Sequence, residues 1–118
     1  MSQFSVPKLR SVGASIPANT ATTTYTCPAN YTAKVVLLLV CNLTSGNKTV
    51  QVHWYDTSTG GTYHIVSGYT ISSYNFLKFD QSYLILNAGD YITITTEAGS
   101  TMDTTITVEE YYDPALGT

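Results

Sequence analysis

The stretch Thr32-Ala33-Lys34-Val35-Val36-Leu37-Leu38-Leu39-Val40-Cys41-Asn42 decides the fold. Side chains along a strand point to alternate faces, and here Leu37, Leu39 and Cys41 alternate with Val36, Leu38 and Val40. Both faces are apolar, as in a central strand covered on both sides. A contact between subunits is one way to supply the second cover. The apolar run Val35–Cys41 is far short of the roughly 20 residues that cross a bilayer, so no membrane partner is expected.

Outward from this strand the chain reads as short strands broken by turn residues, the pattern of an antiparallel sandwich. Upstream, Thr22 to Cys27 is a strand stopped by Pro28-Ala29-Asn30. Downstream, Val50, Val52 and Trp54 alternate with Gln51, His53 and Tyr55, and Asp56 to Gly61 makes a loop. A loop centred on Ser58-Thr59 puts Trp54 opposite Tyr63, Val52 opposite Ile65 and His53 opposite His64. Trp54 and Tyr63 then belong to the core face and the histidines to the polar one. A link or short strand around Ile71, a strand from Tyr74 to Phe79 and another from Tyr83 to Leu86 follow. Tyr91 to Thr96 carries Ile92 and Ile94, and Met102 to Glu110 carries Met102, Thr104, Ile106 and Val108 on one face. About eight strands predict an all-β, two-sheet antiparallel sandwich, jelly-roll-like or immunoglobulin-like.

The flanks are less patterned. Residues 1–19 read as an extended N-terminal arm with one short strand around Leu9 to Ile16, residues 20–112 as the sandwich, and residues 113–118 as a C-terminal tail. The start Met1-Ser2-Gln3-Phe4-Ser5-Val6-Pro7-Lys8 has no apolar signal core, so secretion is not expected.

Composition agrees with the pattern. The 118 residues are one domain's worth, with hydrophobic residues at 43% but charged residues at only 11%, well under an average soluble chain. Tyr numbers 10 and Thr is abundant; both fit pleated, half-buried surfaces better than helices, which argues against a helical bundle. The net charge of −3 and the lack of a Lys/Arg stripe remove the attraction that nucleic acid requires. Cys27 and Cys41 read as two thiols rather than a disulfide, since a domain of this size needs no staple.

Chemistry is sparse. A Ser or Thr nucleophile needs a base, and the histidines are His53 and His64. There is no Gly-x-Ser-x-Gly elbow and no cysteine nucleophile motif, so no catalytic residues, no cofactor and no enzyme are expected. Two imidazoles with Asp56 nearby are too few for a closed zinc site, which takes four ligands, so no metal is assigned. The histidines read as half-exposed aromatics on the polar face. If that face is an interface, protonation near pH 6 weakens it. Asp80, Asp90 and Asp103 lie near turns without the spacing of a calcium loop and read as solvated carboxylates. Glu109-Glu110 reads as a polar edge. The sequons at Asn30, Asn42 and Asn47 are discounted. Among the aromatics Trp54, Tyr55, Tyr63, Tyr69, Tyr74, Tyr83 and Tyr91, packing is favoured over a sugar platform.

One resemblance adds to this reading. The segment from Thr24-Tyr25-Thr26-Cys27-Pro28-Ala29-Asn30-Tyr31 into the apolar strand, the Val40-Cys41-Asn42-Leu43-Thr44 turn and the later Leu86-Asn87-Ala88-Gly89-Asp90 turn resemble small tailed-bacteriophage virion proteins built as β-sandwiches. The similarity runs from about Tyr25 to Val108. It implies a non-enzymatic structural role, foremost as a capsid decoration (cement) protein on the virion surface. It further implies a homo-oligomer, trimer favoured, with the major capsid protein or other virion proteins as partners. A neck or tail accessory protein is the alternative within the class, and a carbohydrate-binding or receptor-recognition module the alternative outside it, using Tyr55, Tyr69 or Tyr74. The expected interface residues are Phe4, Val6, Leu9 and Val12 of the arm together with Tyr55. Deleting residues Met1 to Ser15 is expected to reduce shell binding and leave the sandwich folded.

Overall fold

The computed structural model describes residues 7–81 and 84–112. These form nine strands: β1 (Lys8–Ile16), β2 (Thr22–Thr26), β3 (Tyr31–Asn42), β4 (Lys48–Asp56), β5 (Gly61–Ile71), β6 (Phe76–Phe79), β7 (Leu84–Leu86), β8 (Tyr91–Thr96) and β9 (Met102–Tyr112). The first sheet has the order β1-β9-β3-β6, with β7 pairing β3 beside β6, and the second has the order β2-β8-β4-β5. β6 and β7 lie on successive stretches of β3, Leu38–Cys41 and Ala33–Val35, so together they make one interrupted edge. Two sheets of four strand positions, with the chain crossing repeatedly between them, are a jelly roll rather than an immunoglobulin sandwich.

The strand period builds the core. Ala33, Val35, Leu38 and Val40 of β3 meet Val50 and Val52 of β4, Ile92 and Ile94 of β8, and Met102, Ile106 and Val108 of β9 in one buried cluster. A bulge between Val35 and Leu37 shifts the parity, so Leu38 and Val40 point inward while Leu37, Leu39 and Cys41 point out.

Several expectations need correction. The short strand expected around Leu9 to Ile16 is present as Lys8–Ile16, but it is a sheet edge, in register with β9 from Lys8↔Glu110 to Ile16↔Met102, with Ile16 in the core. The alternation of Arg10, Val12, Ala14 and Ile16 was its signal, obscured by a serine- and glycine-rich opposite face. Deleting residues 1–15 therefore removes a sheet edge, and a truncation that spares the fold must stop before Lys8. Phe4, Val6, Tyr83 and residues 113–118 lie outside the described residues.

The β4–β5 hairpin keeps Trp54↔Tyr63 and His53↔His64, but Val52 pairs with Val66, because a bulge takes up Ile65. β5 also continues to Ile71 through a second irregularity near Gly68, whose φ of 66° suits glycine. Tyr63 is 46% exposed rather than core. Its strand is the sheet's edge. The β1 and β2 edges touch each other, so what faces β5 is the interrupted β6–β7 edge, too short to cover it.

Candidate interaction surfaces

The three acidic groups that the fold buries are occupied structurally, and the first, Asp56, accepts from the Ser58 N–H at 3.1 Å and the Ser58 hydroxyl at 2.7 Å. Asp90 is fully buried, not solvated as its turn position implied. Thr57 donates to it from its N–H (2.9 Å) and its hydroxyl (2.7 Å), and the Asn87 N–H donates at 2.9 Å. Burial alone would raise this carboxyl, but these donors outweigh it and hold the group below the usual carboxylate range. The same turn needs a glycine, as Gly89 has φ 89° and a Cβ there would lie 3.2 Å from the Thr57 methyl. Glu110 is buried as well, not a polar edge, because β9 lies between β1 and β3. It accepts from the Tyr25 hydroxyl and pairs with Arg10 at 3.3 Å.

Cys27 and Cys41 are free thiols. Burial, and after it the charges of Glu110 and Asp90, push the Cys27 thiol up to about 11, which makes it a packing group rather than a nucleophile. Among the described residues no three His, Cys, Asp or Glu side chains gather where they could hold a metal. A shallow, open hollow over Gly13 and Thr105 contains Asp103, whose carboxylate accepts from the Ser15 hydroxyl at 2.9 Å. What the molecule presents is surface.

The outer face of the first sheet carries a row of apolar side chains. Leu37, Leu39 and Cys41 of β3 point outward and are half-buried by their neighbours alone. Cys41 lies beside Phe76, which is 53% exposed, and Lys34 lies beside Ile85, which is 46% exposed. At the rise of a strand this row extends about 23 Å from Cys41 to Lys34. Lys34 pairs with Glu109 and Lys78 with Asp80, while Asp103, cross-strand from Cys41, accepts from the Ser15 hydroxyl. Thr105 and Thr107 of β9 flank it with hydroxyls. No described segment of the chain covers it.

The outer face of the second sheet is aromatic and polar. Tyr55 and Tyr91 are register partners whose rings stack at 4.8 Å and 16°. Each ring spends one of its two faces on the other. His53 and His64 meet edge to face at 4.4 Å. Burial, with His64 adding to it, lowers the His53 pKa from its ordinary value. At one end of the sandwich the fully buried Asn42 donates to the carbonyls of Gly46 and Ile71, both at 3.0 Å, and so ties two loops together. Beside them Tyr74 adopts φ 56° with 70% of its surface exposed. A bulky residue in that region is strained.

The described residues among the expected interface set, Leu9, Val12 and Tyr55, lie on different faces. Leu9 points out from β1 and is 68% exposed, Val12 packs inward against the core, and Tyr55 stands on the other sheet. Phe76 and Ile85 were not singled out from sequence. Their signal was the outward row of β3, but placing them on it requires the long-range pairing of β3 with β6 and β7.

No family model matches this chain, and no curated protein matches it. The fold is shared with a solved structure. A protein of the Bacillus endospore appendages, a family of disulfide-linked pili, superposes with a TM-score of 0.57 at 16% identity, over 95% of this chain and 92% of that one. Chains of infectious bursal disease virus align at TM-scores of 0.47 for the Gx strain and 0.41 for the Gt strain, each 10% identical. They cover 97% and 99% of this chain but 39% and 40% of the viral ones.

Proposed function

We propose that this chain is a non-enzymatic structural protein of a tailed-bacteriophage virion, a capsid decoration protein whose copies cover one another's apolar face. The observation that carries the reading is the outward row Leu37, Leu39, Cys41 and Phe76. It is an apolar surface whose two lysines are each paired with a nearby carboxylate. Such a surface fits a protein partner, because the core of an interface is apolar and poor in unpaired charge. The resemblance to virion sandwiches from Tyr25 to Val108 supports the particle, and the fold is one from which pili are also built.

The mechanism is burial that exists only after assembly. An oligomer seated across capsid subunits binds the closed shell and not its dissociated parts, so it stabilises the shell by mass action. A trimer suits the local threefold positions of a capsid. Residues 1–7 are assigned to the shell contact, with Phe4 and Val6 as apolar anchors and the exposed Leu9 of β1 adding to them. The test is co-sedimentation with shells lacking the protein. Deleting residues 1–7 is expected to weaken binding while the purified oligomer persists. Leu39→Glu is expected to abolish both. Full shell binding by both variants overturns the reading.

A second reading rests on Tyr74. Its strained backbone holds an exposed ring at a loop tip, and strain of this kind gathers at functional sites. Jelly rolls also serve as lectins. Saturable glycan binding that is lost in Tyr74→Ala and kept in Leu39→Glu supports a receptor-recognition module instead.

A further inference from the structure

On the outer face of the second sheet His53 and His64 are direct cross-strand partners. Residues so placed have Cβ atoms about 5 Å apart, a spacing the backbone fixes before any ligand arrives. The ring centroids lie 4.4 Å apart. An imidazole bound in its own plane puts its centroid about 3.2 Å from the ion, so two rings at a right angle stand about 4.5 Å apart and at a tetrahedral angle about 5.2 Å apart. The observed separation matches the right-angled bite. The rings now meet edge to face at 71°. His64 is exposed on an edge strand, and its ring torsion is broad and soft, so turning both nitrogens toward one point needs no backbone change.

The surroundings suit a cation. The register neighbours on this face are Gln51, Tyr55 and Thr62 along the two strands and Thr93 across from His53. None is positively charged, and the hydroxyls and amide can hold water on the remaining coordination positions.

We propose that His53 and His64 form an open, two-imidazole site for a divalent transition ion of right-angled coordination, the Ni2+ and Cu2+ class, completed by water. The site differs from a closed structural zinc centre, for which two ligands are too few. It lies on the opposite sheet from the apolar face and does not depend on the decoration role.

The experiment is a calorimetric titration of the full chain with Ni2+ alone, chosen because the thiols of Cys27 and Cys41 do not reduce it, and with Zn2+ for comparison. One Ni2+ per chain is expected, bound about tenfold or more tightly than by His64→Gln, with Zn2+ no tighter than Ni2+. Ni2+ is expected to raise the melting temperature of the natural chain and not that of His64→Gln, since only binding to the folded form stabilises it. His53→Gln is expected to behave as His64→Gln does, and circular dichroism checks that both are folded. Equal Ni2+ affinity in the natural chain and His64→Gln overturns the site, and tighter binding of Zn2+ overturns its geometry.

Discussion

The Tyr25 hydroxyl of one sheet donates to the Glu110 carboxylate of the other at 2.5 Å, and Arg10 of the edge strand closes on the same oxygen at 3.3 Å. A charge inside a sandwich is costly unless paired and hydrogen-bonded, and here both conditions are met. The contact therefore ties β2, β9 and β1 together at a single carboxylate.

Tyr25→Phe leaves Glu110 with only the partly exposed Arg10, and is expected to cost about 1–3 kcal/mol in urea unfolding. It also changes the alkaline limb. Burial, followed by the hydrogen bond and charge of Glu110, raises the Tyr25 phenol above its ordinary 10.0. Above that pH the unfolded chain loses a proton that the native chain keeps, so stability falls as pH rises. Tyr25→Phe is expected to flatten that fall.

Asp90 predicts the opposite limb. Its native pKa lies below the ordinary 3.8, so the stability it contributes is present above 3.8 and is lost as pH falls through the native value. Asp90→Ala strips the partners from Thr57 and Asn87 and is expected to cost about 2–4 kcal/mol at neutral pH. Its acid unfolding profile is expected to be the shallower of the two.

The cysteines report the two environments directly. A maleimide reagent is expected to modify Cys41 in the dilute native protein and to reach Cys27 only on unfolding, since Cys27 is 1% exposed and its thiol is held protonated. Assembly is expected to protect Cys41 as concentration rises. Mass spectrometry of the labelled peptides checks both.

The sandwich was legible because its strands carry strict alternation. Ile92 and Ile94, and Met102, Thr104, Ile106 and Val108, all point inward as their period requires. The doubly apolar Val35–Cys41 run gave a strand with an apolar outer face, and the His53–His64 pairing followed from loop length alone. What sequence concealed was set by long-range partners. Glu110 reads as surface until β1 and β3 are known to flank it, and Asp90 reads as a turn acid until Thr57 arrives from another loop. Tyr63 reads as core until its strand is seen to be an edge. A bulge in the β4–β5 pairing moved Ile65 out of register, and local alternation carries no mark of where an extra residue will be accommodated.

The most direct test of assembly through the apolar face is light scattering on the natural chain and Leu39→Glu across a concentration series. The natural chain is expected to form a stable oligomer, a trimer foremost, and Leu39→Glu to remain a folded monomer. A monomeric natural chain at every concentration, or an oligomer unchanged by Leu39→Glu, would contradict it.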